Sequence, residues 1–234
     1  YVSFLFNKNR KSKVIYYHDV GLKYTNMGTP LDLIKEHVRI IRLLSFDIVD
    51  NITKPENEIM IAFDDGWKGL YDSKDYFVQE NIYPTVFIAV NLIGKEGYLS
   101  VDQIKKLMEL GFKFQAHSWS HYDLTTFSEE SLNHELVDSK RELETIFGKE
   151  FNSLCFPQGK YSDMVLKRAK SAGYSYLFSS VSGGYYDMME KGVICRNLVQ
   201  TASPSLFRLI LESSSIIVAR RNIKQHYKKT RSWK

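Results

Sequence analysis

Cysteine is nearly missing from this sequence. The two present in 234 residues, Cys155 and Cys195, cannot build a disulfide framework, and their spacing fits no zinc motif. Proline is scarce at five, and neither a Gly/Ser-rich linker nor a fixed-period repeat divides the chain, so one domain over residues 1–234 is expected. No apolar run approaches the roughly 18 residues of a membrane span. Acid is absent from both ends. Residues 1–13 hold four Lys/Arg and residues 220–234 hold seven, with no Asp or Glu in either stretch. With those eleven set aside, the formal charge of +5 becomes −6 for residues 14–219. Basicity confined to the ends does not make a groove across the fold, and no nucleic-acid partner is expected.

What is there is an ordinary globular composition, 44% apolar and 25% charged. The chain begins with Tyr1, and YVSFLF before NKNRKSK reads equally as the end of a truncated hydrophobic anchor or as a surface strand. The final SSSIIVARRNIKQHYKKTRSWK reads as a solvated tail or as a peripheral contact with an anionic membrane, which would suit a cell-envelope setting. A monomer is expected.

Strand-like and helix-like segments alternate. KVIYYH (13–18), EIMIAF (58–63), PTVFIAV (84–90), KFQAHSW (113–119), NSLCFP (152–157), YSYLFSS (174–180) and VICRNLV (193–199) are rich in β-branched and aromatic residues. Between them lie TPLDLIKEHVRIIRLL with Thr29 as N-cap, LYDSKDYFVQEN, SVDQIKKLMEL between Ser100 and Gly111, SEESLNHELVDSKRELETIFG, and SDMVLKRAKSAG. A helix over SPSLFRLILESS follows the last strand. This is an α/β order of parallel βα units, as a barrel or an open sheet, and chemistry collects at the C-terminal ends of such strands.

Four of those ends carry unusual polar residues: His18, Asp64 with Asp65, His117 with His121, and Gln158 with Gly159. Alone, D-D-G is turn vocabulary. The histidines of H-S-W-S-H, at i and i+4, would meet on one face of a helical turn, as in H-E-x-x-H zinc sites, or pack independently; Ser118 after the first histidine excludes the metalloprotease version. Taken with Asp65 they form two imidazoles and one carboxylate, a hydrolytic metal set with a position left open. Asp64 would then be free to accept a proton.

These residues resemble the polysaccharide deacetylases, the NodB-homology carbohydrate esterases. Their T-F-D-D-G is A-F-D-D-G here (62–66), their H-[ST]-x-x-H is H-S-W-S-H (117–121), and their R-x-P-Y-G is C-F-P-Q-G (155–159). The resemblance covers roughly residues 14–200. It implies a distorted (β/α) barrel of about seven strands, one divalent metal ion (usually zinc) on Asp65, His117 and His121, and Asp64 as general base. It also implies an oxyanion held by the backbone N–H after Pro157, that of Gln158, and an acetylated glycan as substrate. Trp67 and Trp119 read either as rim packing or as aromatic platforms for a sugar ring.

The sequence departs from the family at two places. Cys155 replaces the third-motif arginine that holds the base, and Arg196 is either its substitute or a surface arginine. The late L-x-H that supplies the acid is absent, since His226 in the tail is the only histidine after His134. I-Y-Y-H (15–18) resembles the poly-N-acetylglucosamine deacetylase branch, whose barrel is circularly permuted so that the acid comes first; this implies His18 as general acid. Asp19 would orient His18 or cap a helix, and Asp163 would cap. His37 and His134 read as surface or helix-face residues. The alternatives to deacetylation are a glycan-binding barrel without turnover, or hydrolysis of another amide or ester.

Overall fold

A computed structural model of the protein describes residues 10–212. The basic tail 220–234 and most of the basic N-terminal segment 1–13 lie outside the described residues. Among the described residues, seven strands of an eight-stranded sheet form the barrel: β1 (Lys13–Tyr17), β2 (Glu58–Asp64), β3 (Thr85–Ile88), β4 (Lys113–Ala116), β5 (Ser153–Cys155), β6 (Tyr176–Phe178) and β7 (Arg196–Leu198). Every pairing is parallel, in the order β7-β1-β2-β3-β4-β5-β6, and a short strand Asp47–Val49 also pairs with β2. The two ends of that order nearly meet. Phe178 bridges Ile194, Ser179 N–H reaches Ile194 O at 3.0 Å, and Arg196 N–H reaches Val181 O at 2.9 Å. The sheet is therefore an almost closed barrel of seven strands, as the resemblance implies.

Side-chain alternation sorts the barrel into two cores. Val14, Tyr16, Met60, Ala62, Phe87, Cys155, Phe178 and Ile194 pack together inside it. Ile15, Tyr17, Ile59, Ile61 and Phe63 face the surrounding helices. Both faces of β1 and β2 are buried along their whole length, so each reads as a continuous apolar run. Burying one such side chain is worth about 2 kcal/mol. A one-residue slip of β2 would put Phe63 inside the barrel and Asp64 outside it. Register is thus what aims Asp64 inward.

Local chemistry departs from the sequence expectation at several places. Thr29 is not an N-cap: it pairs in a two-residue strand with Val20, its hydroxyl donates to Gln200 O at 3.0 Å, and the helix Leu31–Leu43 begins after Pro30. The segment 70–81 forms two short helices, Gly69–Asp72 and Lys74–Gln79. Ser100 and Gln103 build a full capping box on Val101–Glu109. The long helix expected over 128–148 contains a π-helical turn, His134–Asp138, between Glu129–Asn133 and Ser139–Phe147. It ends at Gly148, whose backbone is left-handed with φ 62°. Asp163 opens the helix Asp163–Ser171, but the capping side chain is Ser162.

His37 takes the helix-face alternative. It is fully buried rather than on the surface, stacked 3.9 Å from the Phe207 ring, and bonded to Tyr17 Oη and Ala202 O at 2.9 Å each. On the helical wheel it lies on the apolar face with Ile34 and Ile41, and two polar partners make that burial tolerable. His134, by contrast, is exposed.

Candidate active site

Asp64 ends β2 on the same face as Met60 and Ala62, and its carboxylate is buried at the barrel mouth. Arg196 reaches it from β7, donating through Nη1 to Oδ1 at 2.7 Å and through Nη2 to Oδ2 at 2.8 Å. The guanidinium is 1% exposed, donates a third bond through Nε to Ser179 O, and lies over the Tyr16 ring at 4.1 Å. Arg196 is therefore not a surface arginine. Burial alone would raise the pKa of Asp64, but the guanidinium outweighs burial and holds it below the usual carboxylate value. Cys155, in the family arginine's place, sits with Sγ 3.9 Å from Asp64 Oδ2, and burial pushes its thiol well up.

Asp65 turns away from its neighbour because its backbone is left-handed, with φ 71°, followed by Gly66 at φ 77°. A Cβ on Gly66 would lie 2.8 Å from Ile88 Cγ2, so the third residue of D-D-G has to be glycine. Asp65 Oδ1 faces His121 Nε2 at 2.9 Å and His117 Nε2 at 3.5 Å, yet no hydrogen bond of good geometry reaches this buried oxygen. Its other oxygen accepts from Trp67 Nε1 at 3.2 Å. Burial would raise the pKa of Asp65, and the two histidines reverse this and hold it well below the usual range. The same carboxylate raises His121 against the lowering effect of burial.

His117 Nδ1 lies 2.7 Å from the Cys155 carbonyl, which can only accept. Nδ1 therefore carries a proton, which leaves Nε2, facing Asp65, as the ring atom available to a metal. Electron-rich atoms converging on a buried, unsatisfied carboxylate oxygen fit a cation held between them. Two imidazoles and one carboxylate suit zinc. Asp64, His117 and Cys155 also come together, but they are the poorer set for a cation. Arg196 holds both Asp64 oxygens, and the thiol is kept protonated.

The two histidines do not meet on a helical turn. Ser118 and His121 are both left-handed, with φ 67° and 65°, and this loop brings the rings to 4.8 Å. Glu135 accepts from the backbone N–H of Trp119 at 3.2 Å and of Ser120 at 3.0 Å, between the two rings. The Trp119 ring lies 4.3 Å from His134, and Trp67 stacks on Tyr98 at 4.0 Å, so both tryptophans have packed partners at the rim.

The remaining expected residues also gather here. His18 follows β1, with Nδ1 2.6 Å from Gln200 Oε1, and lies near enough to Asp64 to help hold that carboxyl down. Asp19 does not orient it. That side chain accepts from Val20 N–H at 2.8 Å and lies beside Gly69 at the start of a helix, and burial raises its pKa to about 7. Pro157 is buried, and Gln158 is exposed and left-handed at φ 59°. The next residue, Gly159, leaves no room for a Cβ beside Ser180. Lys160 ties this turn to the loop after His121 through Asp123, at 2.7 Å.

Sequence reasoning missed Gln200, Glu135 and the Asp123–Lys160 pair. Glu135 had a signal: an acid on the apolar face of an amphipathic helix, three residues after Leu132 and one before Leu136. Gln200 had none, since only folding brings it to His18.

Known proteins share this fold. Among solved structures, the Streptococcus pyogenes deacetylase PplD in complex with acetate superposes with a TM-score of 0.76 at 18% identity, covering 88% of this chain and 100% of that one. IcaB from Ammonifex degensii gives 0.77 at 17% identity, over 88% and 99%. Likenesses this distant show the fold. The peptidoglycan-N-acetylmuramic acid deacetylase PdaA of Bacillus subtilis is 32% identical over 130 residues, 54% of this chain and 48% of its own length. The polysaccharide deacetylase YxkH of the same organism, itself named as putative, is 27% identical over 123 residues, 52% and 44%. The chain spans about half the length of these curated relatives. Residues 51–177, which carry both aspartates, both histidines and the P-Q-G turn, match the polysaccharide deacetylase family, and the chain belongs to that family.

Proposed function

We propose that this protein hydrolyses N-acetyl groups on N-acetylhexosamine units of a glycan, with one divalent metal ion held by Asp65, His117 and His121. The observation that carries this is the convergence of both Nε2 atoms on Asp65 Oδ1, beside an Asp64 that takes no part in that set. Zinc bound there would supply Lewis-acid polarisation of the acetyl carbonyl and a lowered pKa for water.

The chain's own residues do the rest. Asp64, kept ionised by Arg196, accepts the proton of the attacking water. The oxyanion that forms on the carbonyl is met by the N–H of Gln158, in the left-handed turn after the buried Pro157. His18 donates a proton to the amine as the C–N bond breaks, releasing acetate and a free amino sugar. Gln200 fixes the ring that makes that donation. Trp67 and Trp119 would serve as aromatic platforms for a sugar ring. Its relatives' names support a glycan substrate: PdaA acts on peptidoglycan N-acetylmuramic acid, and a Staphylococcus aureus relative is a poly-beta-1,6-N-acetyl-D-glucosamine N-deacetylase.

The reading as a binder without turnover drew on the missing motif arginine and the missing late histidine; Arg196 takes the place of the first, and His18 is proposed for the second. Acetate release from a panel of N- and O-acetylated glycans, with and without added zinc, tests the proposal. Release from O-acetyl esters alone would replace it with the ester reading.

A further inference from the structure

A left-handed backbone at two non-glycine residues is unfavourable and persists only where the surroundings impose it. The loop joining His117 to His121 has two such residues, Ser118 and His121. Its carbonyls point one way: Ser118 O accepts from Val90 N–H at 3.3 Å and Trp119 O from Asn91 N–H at 2.9 Å. Its peptide N–H groups point the other way, and the N–H groups of Trp119 and Ser120 both end on Glu135 Oε2. Glu135 is 2% exposed, and among the described residues its carboxylate makes no ion pair. A carboxylate buried without a cation is costly, so these two N–H bonds are what it is buried for.

The π-helical turn is built around this residue. Ser139 N–H bonds to His134 O rather than continuing the α-helical ladder, the Ser139 hydroxyl bonds to Glu135 O at 2.6 Å, and Tyr174 Oη donates to Leu136 O at 3.1 Å. Such turns are frequent where a helix serves a functional site. We propose that Glu135 is a positioning residue that acts through the backbone of residues 119 and 120 to hold His121 in its ligand-presenting position. This rests on the reading of Asp65, His117 and His121 as the metal set.

Reach, rather than charge, is the requirement. The amide oxygen of Glu135→Gln can accept both N–H bonds, whereas Glu135→Asp keeps the charge but is one methylene too short, and Glu135→Leu fills the space without accepting. In the full-length protein, zinc affinity by chelator competition should be nearly unchanged for Gln. For Asp and Leu it should fall by roughly ten- to hundred-fold, the usual effect of losing a group that supports a ligand. Without metal, amide exchange at Trp119 and Ser120 should stay slow in the parent and Gln variants and become fast in Asp and Leu. Unchanged exchange in the Asp or Leu variant overturns the proposal, as does faster exchange with parental zinc affinity. Should Leu fail to fold, the Gln–Asp pair decides alone. A parent that binds no zinc would sink the metal reading instead, and the exchange rates would still judge Glu135.

Discussion

Arg196 and Asp64 stand 132 positions apart and meet in a two-pronged, fully buried ion pair inside the barrel. In the family pattern the arginine comes from the third motif, where this chain has Cys155. Here the guanidinium enters from β7 and reaches the same carboxylate. Its removal by Arg196→Met should cost about 3–5 kcal/mol, because Asp64 is left buried and unpaired. The variant should also lose the effect that keeps Asp64 ionised, so its carboxyl pKa rises. The base form then appears only at higher pH, and the acidic limb of the kcat/KM profile should move upward. An unmoved limb in a folded variant would show that Asp64 is not the base.

Asp64→Asn keeps the shape of the side chain and cannot accept a proton. Turnover should fall by roughly 10²–10⁴ while bound metal stays at the parental level. Asp65→Asn should instead lose metal. Equal metal loss in both variants, measured by elemental analysis, would mean that the two roles have been exchanged.

About one divalent ion per chain should be recovered from the purified protein, and a chelator should abolish activity that zinc restores. His117→Ala with His121→Ala should remove that ion. Metal content unchanged in the double variant would place the ion elsewhere.

His18→Ala separates proton donation from packing. An N-acetyl substrate, whose amine leaves poorly without a proton, should slow by roughly 10²–10⁴. An activated aryl acetate, whose phenolate departs unaided, should slow far less, with metal content intact. Gln200→Ala should show the same contrast at smaller amplitude, because it orients the ring. Matching losses on both substrates would point to a packing role for His18.

His37 makes stability depend on pH. Burial holds its pKa below the ordinary value, so the unfolded chain takes up a proton first as pH falls past about 6.5. The unfolded state then binds more protons than the native one, and stability drops with pH from there down to the native pKa. His37→Gln can keep both hydrogen bonds without this titration. The melting temperature should therefore fall less between pH 7.5 and pH 5.5 in the variant than in the parent, over roughly the window that ordinary histidine titration sets. Identical slopes would assign the acid sensitivity to another group.

The sequence by itself determined parallel βα units and the positions where chemistry collects, and its motifs carried the resemblance that implied a barrel. Alternating strand and helix periods imply parallel βα units; the structure extends the strand EIMIAF by one residue, which turns Asp64 to the same side as Met60 and Ala62. The pairs D-D and H-x-x-x-H stand at strand ends, where the next residue is released from the ladder to bend toward a ligand. Only the tertiary structure decided which groups support them. Arg196 against Asp64, Gln200 against His18 and Glu135 under the His121 loop each join segments that no local pattern relates, because barrel closure and helix docking make them neighbours. The same holds for His37, whose helical face was legible but whose two partners, Tyr17 and Ala202, were not. The H-S-W-S-H spacing suggested a helical turn, and the structure instead has left-handed residues at Ser118 and His121, because bonds from distant parts of the chain outweigh the local preference for a helix.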